Sequence, residues 1–156
     1  MTSSTAASPW RLWIPVVLWA ALISLFSTHW FTSENTSTVV EPIFRWLLPF
    51  ASQATIDWLH ALVRKSGHVV EYFIFSLLLL RAVRAGRRGL RLNWTLAIIL
   101  IVGAYASLDE YHQSFVPGRT AAVSDVLLDT SAGVLAQAIA AMFIVRSENR
   151  RKPAPA

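Results

Sequence analysis

The stretch Ser107-Leu-Asp-Glu-Tyr-His-Gln-Ser-Phe-Val-Pro-Gly-Arg119 decides the fold of this chain. An apolar run ends there in two carboxylates, a histidine and a glutamine, and the chain then turns through Pro117-Gly118 onto an arginine. A second apolar run follows, with Asp125 at its start and Asp129 one turn further in. Acids inside membrane segments are costly and usually mark a paired charge or a functional site. The stretch therefore predicts two membrane helices with a polar site where they meet.

Composition supports a membrane setting for the whole chain. Of its 156 residues, 54% are hydrophobic and 15% are charged, whereas roughly a quarter of the residues are charged in a typical soluble domain. The chain has no cysteine, which excludes disulfides and thiol chemistry. The net charge of +5 comes mostly from arginine blocks that flank apolar runs, as topology signals do. We therefore expect a lipid bilayer as partner and no nucleic acid.

The apolar segments predict an all-α membrane protein with four transmembrane helices. The predicted spans are residues 10–31, 66–83, 92–110 and 123–145, each close to the ~20 residues that cross a bilayer. No small-residue cleavage site follows Phe26, so the first span is predicted to be retained. Residues 39–65 are interrupted by Pro42, Arg45 and Pro49. We expect one or two short interfacial helices there, between the first and second spans.

Basic residues predict the orientation. Five arginines lie between positions 81 and 91, and further basic residues follow position 145. Basic residues in short loops favour the cytoplasmic side. This places both termini in the cytoplasm. The predicted domain organisation is a disordered N-terminus at 1–9, one membrane domain at 10–146 with its motif core at 65–140, and a basic cytoplasmic tail at 147–156.

This topology brings the polar ends of three spans to the outer leaflet. Lys65, His68 and Tyr72 recur at helical spacing on the second span, and Asp125 and Asp129 recur on the fourth. The last stripe continues through two further positions, 133 and 137. The predicted binding residues are Lys65, His68, Glu71, Tyr72, Asp109, Glu110, His112, Gln113, Arg119, Asp125 and Asp129.

Three blocks of this sequence resemble those of the VanZ family. They are Lys65-Ser-Gly-His-Val-Val-Glu-Tyr72, Asp109-Glu-Tyr-His-Gln-Ser-Phe-Val-Pro-Gly-Arg119 and Asp125-Val-Leu-Leu-Asp129. The match to the family's pattern covers roughly half of the chain, and the middle block is specific. In one departure, a glycine that often follows the last acidic block is shifted or replaced near Gly133. The resemblance implies a small bacterial protein of the cell envelope that lies in the cytoplasmic (inner) membrane and is linked to antibiotic resistance of the teicoplanin (glycopeptide) type.

The chemistry of the cluster leaves three functions open. Its two cations and five carboxylates would carry a net charge of −3 if all were ionised, so protonation, charged histidines or a bound cation could each compensate. No metal-binding motif, no single nucleophile and no cofactor motif stands out, so the sequence leaves the cofactor unknown. The favoured hypothesis is a protein that binds or modifies a cell-envelope ligand, such as a lipid-linked wall precursor or a glycopeptide. The alternatives are a membrane enzyme acting on lipid headgroups or wall precursors, and a small cation-coupled transporter.

Within these hypotheses, some residues have more specific expectations. His68, Asp109, His112 and Arg119 are the candidates for catalysis, although the sequence favours a protein that is not an enzyme. We expect Arg119 to be the counter-ion of Asp109 and Asp125, because its guanidinium can bind carboxylates in a bidentate manner.

Overall fold

The chain folds into helices throughout the residues that the structure describes. The computed structural model describes residues 9–119 and 121–150, and no β-strand occurs in those ranges. The five α-helices are α1 (Ile14–Phe26), α2 (Ser33–Leu47), α3 (Gln53–Arg84), α4 (Leu92–Gln113) and α5 (Val123–Asn149). Single turns of 3-10 helix lie at Pro9–Leu12 and His29–Phe31. The predicted all-α class is confirmed.

The two terminal predictions fall mostly outside the described ranges. Of the predicted disordered segment 1–9, the structure describes only Pro9, which begins a turn of 3-10 helix. Of the predicted tail 147–156, residues up to Asn149 continue α5 as helix, and residues 151–156 lie outside the described ranges.

Three helices are long and apolar enough to cross a membrane, namely α3, α4 and α5. Their outward surfaces carry exposed apolar side chains such as Leu96, Leu100 and Phe143, which suits contact with lipid. A fourth candidate is bent: the helical stretches Trp10–Phe26 and His29–Leu47 meet at 65° and pass as a span only when taken together. The chain is therefore a multi-pass membrane protein with three apolar spans, or four if the bent pair forms one.

The predicted first span, 10–31, is not one straight helix, because α1 ends at Phe26. The hydroxyls beyond it turn back onto the last turn of α1: Ser27 Oγ lies 3.1 Å from the carbonyl oxygen of Ile23, and Thr28 Oγ1 donates to that of Leu25 at 2.7 Å. Side chains that bond to nearby carbonyls compete with helix continuation. The chain therefore bends where the sequence turns polar.

The second span begins earlier than predicted, because α3 runs without interruption from Gln53 rather than from Ser66. Ser52 caps its start, with Oγ accepting from the backbone N–H of Thr55 at 3.2 Å. The polar side of its first turns contacts α2, since His60 Nε2 lies 2.9 Å from Thr36 Oγ1. The prediction of separate interfacial helices up to residue 65 is thus wrong for this part, and α2 alone remains of the expected short helices.

The core forms where α3 packs against α5 and α4. The α3–α5 interface is the most extensive in the bundle, and the apolar core includes buried side chains such as Phe75 and Leu79 of α3 and Val102 of α4. At Gly133 the backbone of α5 approaches α4 so closely that a Cβ there would lie 2.7 Å from Val102 Cγ1. Between α4 and α5, Gly118 has a φ of +78°, as the Pro-Gly turn predicts.

Candidate functional site

The polar stripes of α3 and α5 face each other at one end of the bundle. Lys65 Nζ lies 2.9 Å from Asp125 Oδ1, with its side chain 54% exposed. One turn deeper, His68 Nδ1 lies 3.3 Å from Asp129 Oδ2, and the Asp129 side chain is completely buried. Because side chains three to four residues apart share a helix face, the two pairs stack along the interface. The structure thus brings together four of the predicted site residues.

The polar interface continues toward the middle of the bundle. Ser76 Oγ donates to the carbonyl of Gly133 at 3.0 Å, and Gln137 Nε2 donates to Ser76 Oγ at 2.8 Å. Gln137 continues the predicted four-residue spacing of Asp125 and Asp129. Ser76 had been overlooked, although it lies eight residues after His68 on the same face of α3.

Several buried polar atoms along this interface have no partner among the described residues. They are the Tyr72 hydroxyl, Asp129 Oδ1 and Gln137 Oε1, on side chains that are at most 2% exposed. Tyr72 instead packs by its ring, edge-on to Phe75 at 6.4 Å between centroids. Unpartnered polar atoms in a protein interior are rare and call for an explanation.

A second cluster joins the end of α4 to the end of α1. Asp109 Oδ1 accepts from Ser27 Oγ at 2.5 Å, and its Oδ2 accepts from Gln113 Nε2 at 2.9 Å. Gln113 Oε1 in turn accepts from Arg119 Nη1 at 3.0 Å. All of these side chains except Arg119 are at least nine-tenths buried. Ser27 belongs to this cluster although it was not among the predicted site residues.

The predicted pairing of Arg119 with Asp109 and Asp125 is wrong. Arg119 Nη2 donates to the carbonyl of Phe31 at 2.9 Å and also to the carbonyl of Phe26. These carbonyls end α1 and the 3-10 turn after it, where a cation complements the helix dipole. Arg119 therefore reaches Asp109 only through Gln113, and Asp125 takes Lys65 as its counter-ion.

Glu110 and His112 take different places, although they are near neighbours in sequence. Glu110 is 5% exposed, and its Oε2 accepts a hydrogen bond from the backbone N–H of Ala122 at 2.8 Å. This bond connects the end of α4 to the start of α5. His112 is exposed and lines a separate shallow groove together with His29. The structure does not bring His112 into the cluster.

A cavity of about 240 Å³ opens between the end of α1 and the face of α3. Its polar wall contains Arg64, His68, Glu71 and Arg119, and the rings of Phe26 and Phe31 line it as well. A smaller cavity of about 180 Å³ adjoins it, because Arg64 and His68 line both, and it reaches Lys65 and Asp125. His68 thus lies at the junction of the two spaces.

Arg64 is a cavity residue that the sequence analysis left out of the site. No hydrogen bond or ion pair joins its side chain to another described residue. A signal was available, because Arg64 lies one helical turn before His68 and shares its face. Arg119 has a polar atom without a partner in the same ranges, since its buried Nε makes no hydrogen bond.

The two guanidinium groups act on each other electrostatically. Burial lowers the pKa of Arg119 from its ordinary value, and the nearby positive charge of Arg64 lowers this pKa further. Both effects disfavour the charged form, yet arginine stays protonated in proteins. The cavity therefore holds two cations whose repulsion an anion between them would relieve.

The donor set does not form a metal centre in the described ranges. There, no group of three or more His, Asp or Glu side chains is arranged to hold a metal ion. The chemistry that the site offers comes from two arginines, one histidine–aspartate pair and Glu71.

These features define a small multi-pass membrane protein with a charged recess at one end of its helices. The model of the VanZ/LLP1 family matches residues 12–145, which is most of the chain. The protein belongs to this family, as the three sequence blocks indicated. Neither the search of curated proteins nor that of solved structures found a match.

Proposed function

We propose that the bent pair α1–α2 forms a fourth span and that the cavity opens at the outer leaflet of a bacterial inner membrane. One contact supports this topology: the backbone N–H of Gly89 donates to Glu148, so the arginine-rich α3–α4 loop lies against the end of α5. The two basic blocks therefore share one end of the bundle, and the cavity lies at the other. By the positive-inside rule, the basic end and both termini are cytoplasmic.

Cysteine labelling in intact cells tests this topology. Arg88→Cys, in the arginine-rich loop, should be protected from an impermeant maleimide, whereas Phe115→Cys, exposed in the turn after α4, should react. Equal or reversed labelling would remove the outer-leaflet assignment.

We further propose that the protein binds an anionic, phosphate-bearing ligand of the cell envelope in this cavity. The observation that carries this function is the pair of guanidinium groups, Arg64 and Arg119, on the wall of one cavity. Arg64 has no hydrogen bond or ion pair to another residue that the structure describes, and Arg119 binds neutral acceptors through its terminal nitrogens. With Glu71 ionised, the three groups still leave one positive charge in excess. Guanidinium groups bind phosphate by charge-assisted, bidentate hydrogen bonds.

The apolar part of the cavity wall favours a ligand that carries a lipid chain. Phe26 and Phe31 contact each other edge-on, with centroids 4.9 Å apart, and both line the cavity beside the arginines. A headgroup phosphate could lie at the guanidinium groups while its chain remains in the bilayer. Lipid-linked wall precursors and anionic phospholipids both have this chemistry. Teicoplanin resistance would follow if the protein kept such a precursor away from the antibiotic, or altered the precursor so that the antibiotic no longer bound it.

Mass spectrometry of lipids that co-purify with the protein identifies the ligand, and a variant pair tests the site. Arg64→Gln should weaken the binding of dioctanoyl phosphatidic acid, measured as ligand-dependent thermal stabilisation in detergent. Loss of a charged hydrogen bond costs about 1.5–3 kcal/mol, which corresponds to about a 10- to 150-fold weaker affinity. The matched control is Arg45→Gln, because Arg45 is paired with Glu41 at 2.9 Å and lies outside the cavity.

Two results would contradict the proposal. One is equal affinity of the wild-type protein for phosphatidic acid and for dioctanoyl phosphatidylcholine. The other is an Arg64→Gln variant that binds as the wild type does while Arg45→Gln is the weaker binder.

The resistance link has its own test. A susceptible host that expresses the wild-type chain should tolerate more teicoplanin than one that expresses Arg64→Gln, and equal tolerance would refute the link.

A further inference from the structure

The His68–Asp129 pair fixes which ring nitrogen of the histidine is free. Asp129 Oδ2 lies 3.3 Å from Nδ1, and an ionised carboxylate can only accept a hydrogen bond. Nδ1 therefore carries the proton, and in the neutral ring Nε2 keeps its lone pair. No hydrogen bond to another described residue occupies Nε2.

The surroundings of His68 are those of a reactive group rather than of a packing residue. The imidazole lines the cavity that holds Arg64 and Arg119, and Glu71 lies on the same wall. The carboxylate that orients the ring is completely buried, although its second oxygen has no partner there. Burying a charged carboxylate without a partner for both oxygens is costly. A histidine that served only for packing would not require such a carboxylate beside it.

We propose that the site transfers phosphoryl groups, with His68 as the nucleophile and Glu71 as the proton donor. This inference rests on the proposed function, because it assumes that a phosphate lies at the two arginines. Arg64 and Arg119 hold the non-bridging oxygens and stabilise the charge that develops on them in the transition state. Asp129 is a positioning residue, since it acts through the tautomer and orientation of His68.

The atoms and protons of this reaction balance with only the phosphate ester, water, His68 and Glu71. The Nε2 lone pair of His68 attacks phosphorus, a P–N bond forms, and the P–O bond to the leaving group breaks while Glu71 protonates the departing oxygen. Water then attacks phosphorus and gives a proton to the Glu71 carboxylate, the P–N bond breaks, and the lone pair returns to Nε2. The net change is hydrolysis of a phosphate ester to an alcohol and inorganic phosphate. No metal or redox cofactor takes part.

Oxygen exchange tests this reaction without knowledge of the leaving group. When inorganic phosphate itself is the substrate, each cycle replaces one phosphate oxygen by an oxygen of water. The full-length protein in lipid nanodiscs, incubated with phosphate labelled at all four oxygens with ¹⁸O, should therefore lose label stepwise, as followed by mass spectrometry. Alkaline quenching during the reaction should trap phosphohistidine on the peptide that contains His68.

The variants assign the roles. His68→Asn and His68→Gln should reduce exchange to the background rate, whereas His112→Asn should exchange as the wild type does, because His112 is exposed in a separate groove. Asp129→Asn should slow exchange by roughly 10²-fold or more, as loss of the carboxylate that orients a histidine does elsewhere. Its affinity for phosphatidic acid should stay unchanged, which a general loss of structure would not allow.

The outcomes separate this inference from the proposed function. A wild-type protein that binds phosphatidic acid but neither exchanges oxygen nor forms phosphohistidine would overturn phosphoryl transfer and leave ligand binding intact. A protein that binds no phosphate-bearing probe would refute both. Exchange that survives in both His68 variants would show that His68 is not the nucleophile, and the proposal would then be wrong.

Discussion

Replacing Gly133 by alanine should destabilise the bundle where α4 and α5 come closest. The new Cβ would lie 2.7 Å from Val102 Cγ1, and Val102 is itself completely buried, so neither helix has room to yield. Overpacking of this kind typically costs about 1–3 kcal/mol. Alanine is also a better helix former than glycine by about 0.5–1 kcal/mol, so the observed loss of stability should be smaller than the clash itself.

A second glycine isolates the packing effect. Gly67 is also in a helix interior, and a Cβ there would meet no atom within 4 Å. Gly67→Ala should therefore be neutral or stabilising by about 0.5–1 kcal/mol. Since the change in helix propensity is common to both variants, the difference between them should equal the clash, about 1–3 kcal/mol.

Thermal or denaturant unfolding in the same detergent measures this difference. Gly133→Ala combined with Val102→Ala should recover part of the lost stability. Shortening Val102 removes the clashing methyl group, although it leaves a small cavity that is itself destabilising. Equal stabilities of Gly133→Ala and Gly67→Ala would refute the close approach of α4 and α5.

Two further predictions concern the charged contacts. Arg119→Lys should lower the free energy of unfolding by about 1–3 kcal/mol. Two separate guanidinium nitrogens serve the carbonyls of Phe26 and Phe31 and the α4 side chain, and a shorter side chain with one nitrogen does not reproduce this planar fork. Unchanged unfolding of the ligand-free protein would show that those bonds do not form. A double-mutant cycle on Lys65→Ala and Asp125→Ala should give a coupling free energy of about 0.2–1 kcal/mol that weakens in salt. A larger coupling free energy that does not depend on salt would mean that this pair is buried.

The sequence predicts best where helical spacing alone decides which residues meet. Lys65 and His68 lie at the spacing that puts them on one face of α3, and Asp125 and Asp129 do the same on α5. Once two helices are predicted to be neighbours, their polar faces must turn toward each other, because lipid offers them no partners. These contacts follow from periodicity and the membrane setting.

Prediction fails where a contact depends on how the chain bends. The role of Arg119 requires the end of α1 to lie beside the α4–α5 turn, and this follows from the break after Phe26, which no spacing rule locates. The position of His112 does not follow from spacing alone, because three residues after Asp109 it would share a face with that residue, whereas at about 100° per residue it lies well away from Glu110. Asp109 and Gln113, four residues apart, face inward together, while His112 points outward.

The depth of the polar interface bears on the transporter alternative. A coupled transporter requires polar groups near the bilayer midplane that can be reached in turn from both sides. Here the polar ladder ends at Ser76 and Gln137, whose mutual hydrogen bond closes it. Beyond this level α3 continues with the buried Leu79 and Leu80, and Ile144 of α5 packs against the same apolar cluster. Charge that entered from the cavity would have to cross this apolar layer without a partner, at a cost of several kcal/mol. The polar interface of α3 and α5 therefore ends in an apolar layer, which favours a binding or reaction site for a headgroup over a conducting path.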